Sequence, residues 1–263
     1  MPYPEPVSHC DICNWYSVCE KRWTTDDHVS LVAGIQKAQR KELASWDVTT
    51  LAGLAQLPLP LPRKPSRGSV AAFERVREQA RLQFEARTTG KPTYELLPIE
   101  EDHGLAALPS PSPLDIFLDL EGDRQAENGG LEYLFGYALR DAGGVLNYEA
   151  LWALSPPEEK QAFERLIDLV VERRLQDPGM HVYHYAPYEP TAMKRLMGRY
   201  ATRADELDQL LRAEVFVDLY AVVRKGLRAG VDSYSIKKLE DGINRPIRTP
   251  QSLRAELDPL IPS

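Results

Sequence analysis

Asp119 and Glu121 stand two residues apart in an apolar run, residues 114–123, and in a strand that spacing permits one kind of chemistry. Side chains alternate between faces, so Ile116, Leu118 and Leu120 point one way while Phe117, Asp119 and Glu121 point the other. The two carboxylates then start roughly 7 Å apart. That separation lets them hold a pair of divalent ions about 4 Å apart, as phosphodiester cleavage by two metal ions requires. An edge strand with its acids in water gives the same short pattern. The apolar opposite face, and the ordered elements that follow, weigh toward a site.

Those elements must position the acids. Residues 131–139 and 145–154 read as two more strands joined by a hairpin turn at 140–144. Ser155, two prolines and Glu158 form a capping box at the start of a helix with Phe163, Leu166, Ile167, Val170 and Val171 on one stripe. Residues 181–185 make a buried strand and Pro190 starts another helix. Thr202 caps a shorter helix to Leu211, residues 215–219 make a last strand, and helices run on to about Leu239. A three-strand meander followed by helix, strand, helix, strand, helix is the order of a ribonuclease-H-like fold. The expectation is therefore an α/β (α+β) chain with a mixed sheet flanked by helices, the later strands joining in parallel.

In such sheets, sites form where strands end and helices begin. Glu189 sits at one such junction, between the strand ending at Tyr185 and Pro190. Glutamate is a poor helix cap, so a carboxylate there is either a surface acid favoured by the helix dipole or a third metal ligand. His184 and Tyr185 lie beside it as candidates for substrate contact, although a lone His next to Tyr is as readily a structural hydrogen-bonder.

The first half of the chain carries Cys10, Cys13 and Cys19, with no cysteine after them. An odd count disfavours disulfides, leaving iron–sulfur ligation, zinc closed by three thiolates with His9 or His28, or no metal. Apolar positions at helical spacing between 30 and 57 read as a helical pair similar to a helix-hairpin-helix module, with Asp47, Thr49 or Thr50 as caps. Residues 57–67 form a proline-rich linker. Ser69 caps a helix to about Thr88 that Gly90 stops, and 94–97 make one short strand. The expected organisation is a cysteine segment at 1–29, the helical module at 30–62, a linker with one helix at 63–112, the ribonuclease-H-like domain at 113–242 and a tail at 243–263.

The 263 residues are 43% hydrophobic and 27% charged, with net charge −7 and pI near 5.4. That length buries one substantial core and a smaller module. No apolar run reaches the roughly 18 residues of a membrane span and no secretory signal opens the chain, so the expected location is the cytoplasm. The acidic balance argues against a surface coated in basic residues for nucleic acid. It does not argue against a carboxylate site, whose charge metal ions offset locally.

The cysteine spacing, with Trp15 inside it and residues 26–35 after it, resembles the end of a RecB-type nuclease module in a predicted bacterial nuclease family. The resemblance implies three ligands of a 4Fe-4S cluster whose fourth cysteine lies upstream, and a chain that starts after the RecB core. Asp119 and Glu121 match the first motif, and residues 182–189 resemble the second, of exonucleases with four acidic ligands. With Asp218 and residues 234–240 they resemble the ribonuclease-H-like exonuclease domain that follows in the same family.

The resemblance implies that Asp119, Glu121 and Glu189 hold two Mg2+ or Mn2+ ions, with Asp218 as a further ligand or an orienting group. It also implies 3'-to-5' action on single-stranded ends of DNA or RNA, with a helicase as partner and no membrane. The third motif of such exonucleases, a Tyr or His four residues before a final Asp, is missing: no His follows His184, and Asp258 is preceded at that spacing by Arg254. The expectation is a fragment or a shortened, impaired copy. Two functions stand, a metal-dependent nuclease and a catalytically inactive module that binds nucleic acid or docks a partner. A third, an iron–sulfur structural subunit, rests on the cysteines alone.

Overall fold

The computed structural model describes residues 3–126, 129–141 and 143–243. In chain order the elements are α1 (Tyr16–Thr25), α2 (Lys37–Ala44), α3 (Leu51–Ala55), α4 (Val70–Thr89), β1 (Tyr94–Leu96), β2 (Ile116–Asp123), β3 (Leu131–Arg140), β4 (Leu146–Trp152), α5 (Pro156–Gln176), β5 (Val182–His184), α6 (Tyr188–Tyr200), α7 (Ala204–Arg212), β6 (Phe216–Asp218), α8 (Leu219–Gly226), β7 (Leu227–Ala229) and α9 (Ile236–Ile243). They divide into two units. One comprises the described residues up to Leu96 together with those from Leu227 onward, and the other is Leu97–Gly226. The expected tail at 243–263, with Arg254 and Asp258, lies almost wholly outside the described residues.

The first unit packs Leu43, Leu51, Leu54, Phe73 and Ala80 into its own core. Ser69 Oγ accepts from Ala72 N at 3.1 Å to start α4, and Gly90 ends it at φ 64°, a left-handed conformation that costs glycine little. Thr50 caps α3 by accepting from Gly53 N at 2.9 Å. β1 pairs antiparallel with β7. Buried Gln79 braces this corner, donating to Ala229 O at 2.8 Å and accepting from Tyr234 Oη at 2.9 Å. Tyr234 thus serves the first unit.

The second unit is built on a five-stranded sheet of order β4-β3-β2-β5-β6. The first three strands are antiparallel, and β5 and β6 join in parallel, the mixed sheet expected of a meander followed by strand-helix-strand units. One face is the core: Ile116, Leu118, Leu120, Phe135, Tyr137 and Val182 pack under Phe163, Leu166, Ile167, Val170, Met193, Leu196 and Leu207 from α5, α6 and α7.

Three helix starts differ from the sequence expectation. The Ser155 hydroxyl makes no cap bond; Glu158 instead reaches back to accept from Leu154 N at 2.8 Å. α7 opens after Arg203 at φ 54°, because the Thr202 hydroxyl is drawn away to Glu164 on α5 at 2.7 Å. α6 begins at Tyr188, ahead of Pro190, which places Glu189 inside its first turn.

Candidate active site

β2 presents its acids on the face away from α5, α6 and α7. Cross-strand partners share a face, and the register pairs Asp119 with Gly136 and Glu121 with Leu134 on β3. Asp119 remains open to solvent. Its carboxyl is nevertheless raised above the ordinary value by partial burial first, then by the charge of Glu121, then by that of Glu189. Like charges close together disfavour ionisation. The third cause links the two segments, because Glu189 comes from another element yet acts on the same carboxyl.

Glu189 is held by the turn between β5 and α6. Ala186 in that turn adopts φ 70°, a left-handed conformation that costs a residue with a Cβ about 1 kcal/mol or more. It is pinned on both sides: its N–H donates to Asp218 Oδ1 at 3.0 Å, and its carbonyl lies 2.7 Å from His184 Nδ1. Asp218 Oδ1 also accepts from Tyr220 N at 2.9 Å, at the start of α8. His184 is only 4% exposed and Glu189 only 3%. The Nδ1 of His184 stands 3.5 Å from Glu189 Oε2, but its proton is directed at the Ala186 carbonyl, and Oε2 is a buried oxygen with no hydrogen-bond partner. Tyr185 packs edge-on to Tyr220, ring centres 5.6 Å apart.

A second group of acids was not legible in the sequence. Glu159 on α5 is fully buried and accepts from Glu132 N, from Arg199 at 2.9 Å and from the Tyr200 hydroxyl. Buried Glu132 on β3 pairs with Arg195 and accepts from the Tyr188 hydroxyl at 2.8 Å. The phenols of Tyr188 and Tyr200 are pushed up to about 12, first by burial and then by these hydrogen bonds to carboxylates. Gly122 is required beside this group, because a Cβ there would collide with the Glu132 carboxylate and the Tyr188 hydroxyl. A cavity of about 350 Å³ adjoins the group, bounded by Asp123, Arg124, Glu132, Tyr188, Thr191 and Arg195.

Asp119, Glu121 and Glu189 suit a hard divalent ion in kind, being carboxylate oxygens. The orphaned Glu189 oxygen and the repulsion at Asp119 are both features that a cation relieves. Among the described residues, no three His, Cys, Asp or Glu side chains are arranged as a ready-made metal cage. Cys10, Cys13 and Cys19 are free thiols, each partly exposed. His28, one candidate partner for them, lies with Nδ1 2.8 Å from Ser30 Oγ.

The family RNase_H_2, of the RNase_H superfamily, matches residues 116–252, more than half of the chain. No curated protein matches, and no solved structure matches.

Proposed function

Because the chain belongs to the RNase_H superfamily, we propose that it is a metal-dependent nuclease with Asp119, Glu121 and Glu189 as its catalytic carboxylates. The observation that supports this reading is that β2, with Asp119 and Glu121 on one face, lies parallel beside β5, whose following turn leads into Glu189 at the start of α6; the raised Asp119 carboxyl agrees with it. On this reading two acids from β2 and one from the start of α6 serve one place. These three would hold Mg2+ or Mn2+. When bound, such ions supply an activated water and charge stabilisation for the leaving oxygen.

The protein's own contribution is placement. The ladder with β3 fixes Asp119 and Glu121 on one face. His184 and Asp218, through Ala186, fix the turn that delivers Glu189, which gives both of them a positioning role. The likeness of residues 182–189 to an exonuclease motif supports 3'-to-5' action on single-stranded ends.

The test is cleavage of end-labelled single-stranded DNA and RNA with Mg2+, with Mn2+ and with chelator. Wild-type cutting that Asp119→Asn and Glu189→Gln each reduce by at least about a hundredfold is expected. A wild type that cuts neither polymer, or variants that cut equally well, overturns the proposal. The lack of a ready-made cage among the described residues favours one second reading, an inactive module that binds nucleic acid. It predicts retention of labelled strands in chelator and no cutting in either metal.

A further inference from the structure

The acid-bearing face of the sheet continues past Asp119 and Glu121 onto β3 and β4, and there it changes character. Register places Leu134, Gly136 and Ala138 of β3, then Trp152, Ala150 and Tyr148 of β4, in rows with Glu121, Asp119 and Phe117. β4 is an edge strand. Trp152 is 63% exposed and Tyr148 is 65% exposed. Trp152 shares its row with Glu121, two strand spacings or about 10 Å away.

Two local devices shape this face. Glu121 pairs with Leu134 while Gly122 pairs with Glu132, so Tyr133 is the extra residue of a bulge, a feature that re-aims a side chain. Its ring stacks on Trp152 with centres 6.4 Å apart and planes 18° apart. Tyr148 lies across Gly136, the cross-strand partner of Asp119; a Cβ at Gly136 would strike the phenol oxygen. No carboxylate occupies this face of β3 or β4. Its one charge is Arg140, which shares the alternation of Gly136 and Ala138 and bonds Gly144 O at 3.0 Å.

Single exposed aromatics need no explanation. An acid-free aromatic surface that continues the rows of Asp119 and Glu121 does. We infer that Trp152, Tyr133 and Tyr148 form a stacking platform for the unpaired bases of a single-stranded polynucleotide. This rests on the nuclease reading for its orientation and names the substrate form, a strand whose bases are free to stack. A duplex keeps its bases turned inward and offers the rings nothing. Stacking uses the ring face that every base shares, so DNA and RNA strands are both expected to bind. Stacking on one ring is worth about fivefold to 150-fold in affinity per base.

The test is fluorescence anisotropy of labelled single-stranded DNA and RNA oligonucleotides on the full chain in chelator, where no cutting occurs. Expected are binding by the wild type, at least about tenfold weaker binding by Trp152→Ala, recovery of most of that loss by Trp152→Phe, and poor competition by a duplex of equal length. Photo-crosslinking of the wild-type chain, mapped to Tyr133, Tyr148 or Trp152, supports the platform without any variant. Unchanged binding by Trp152→Ala, equal binding of duplex, or crosslinks confined to other residues overturns it. So does a wild-type dimer broken by Trp152→Ala with no oligonucleotide bound, which would assign the β4 edge to a second copy of the chain. Platform-dependent binding without metal-dependent cutting leaves the platform standing and removes the nuclease; cutting unaffected by Trp152→Ala does the reverse.

Discussion

His184 Nδ1 stands 3.5 Å from Glu189 Oε2 and 2.7 Å from the Ala186 carbonyl, and it has one proton to give. Donated to the carbonyl, that proton secures a strained turn and leaves a buried carboxylate oxygen unpartnered. The imidazole therefore holds the turn that carries the acid and makes no hydrogen bond to the acid itself.

Removing the ring and its bond in His184→Ala is expected to cost about 2–4 kcal/mol in chemical denaturation, since both are buried. The side-chain amide of Asn can reach a carbonyl two residues on, so His184→Asn should lose about half as much. Equal losses for the two variants would show that the bond to Ala186 does not matter.

The crowding of charge around Asp119 implies that the acids oppose one another when no cation is present. With a folded-state value above the ordinary one, the penalty is absent at low pH and grows as pH rises through the carboxylate range. Asp119→Asn should raise metal-free stability at neutral pH by a few tenths of a kcal/mol after solvent screening, and should remove any rise in melting temperature that Mg2+ gives the wild type. Melts with and without Mg2+ measure both effects. A metal-free variant that melts below the wild type contradicts the repulsion.

Tyr188 and Tyr200 make an alkaline prediction. Their phenols rise from 10.0 to about 12 in the folded chain, so the folded state keeps protons that the unfolded state releases. The stability they contribute is complete below pH 10 and is lost as pH climbs toward 12. Tyr200→Phe should flatten part of that decline in denaturation midpoints taken across this range. A wild type whose stability is level from pH 10 to 12 would rule the coupling out.

Glu159 carries a cost comparable to that of His184. Glu159→Ala leaves Arg199, Tyr200 and the Glu132 amide without their shared acceptor, and is expected to destabilise by about 3 kcal/mol, below the full buried-pair cost because Arg199 keeps some access to water. Urea unfolding measures it, and a loss under 1 kcal/mol would mean that water replaces the carboxylate.

The sheet was legible because its signals are local: alternation in β2, a Gly-rich turn before β4, an apolar stripe along α5. Glu189 was legible because a strand-to-helix junction is visible as a change of period. The roles of Glu132 and Glu159 were not, since an acid in a strand or an amphipathic helix looks solvated until its cationic partner, here Arg195 or Arg199, arrives from at least forty residues away. The Thr202 cap failed for the same reason: its hydroxyl has the right chemistry for α7, and Glu164 draws it away. The aromatic platform needed register, because neither Trp152 nor Tyr133 reveals in isolation which side of the sheet it occupies.

The added residue in β3 has an effect on charge as well as on shape. Were Tyr133 paired with Gly122 in an unbroken ladder, strict alternation would turn Glu132 outward across from Asp123, leaving Arg195 and the Tyr188 hydroxyl without their acceptor and adding one more anion to the face of Asp119 and Glu121. A one-residue slip in the ladder thus keeps Glu132 on the core side with Arg195 and leaves Asp119 and Glu121 to the opposite face.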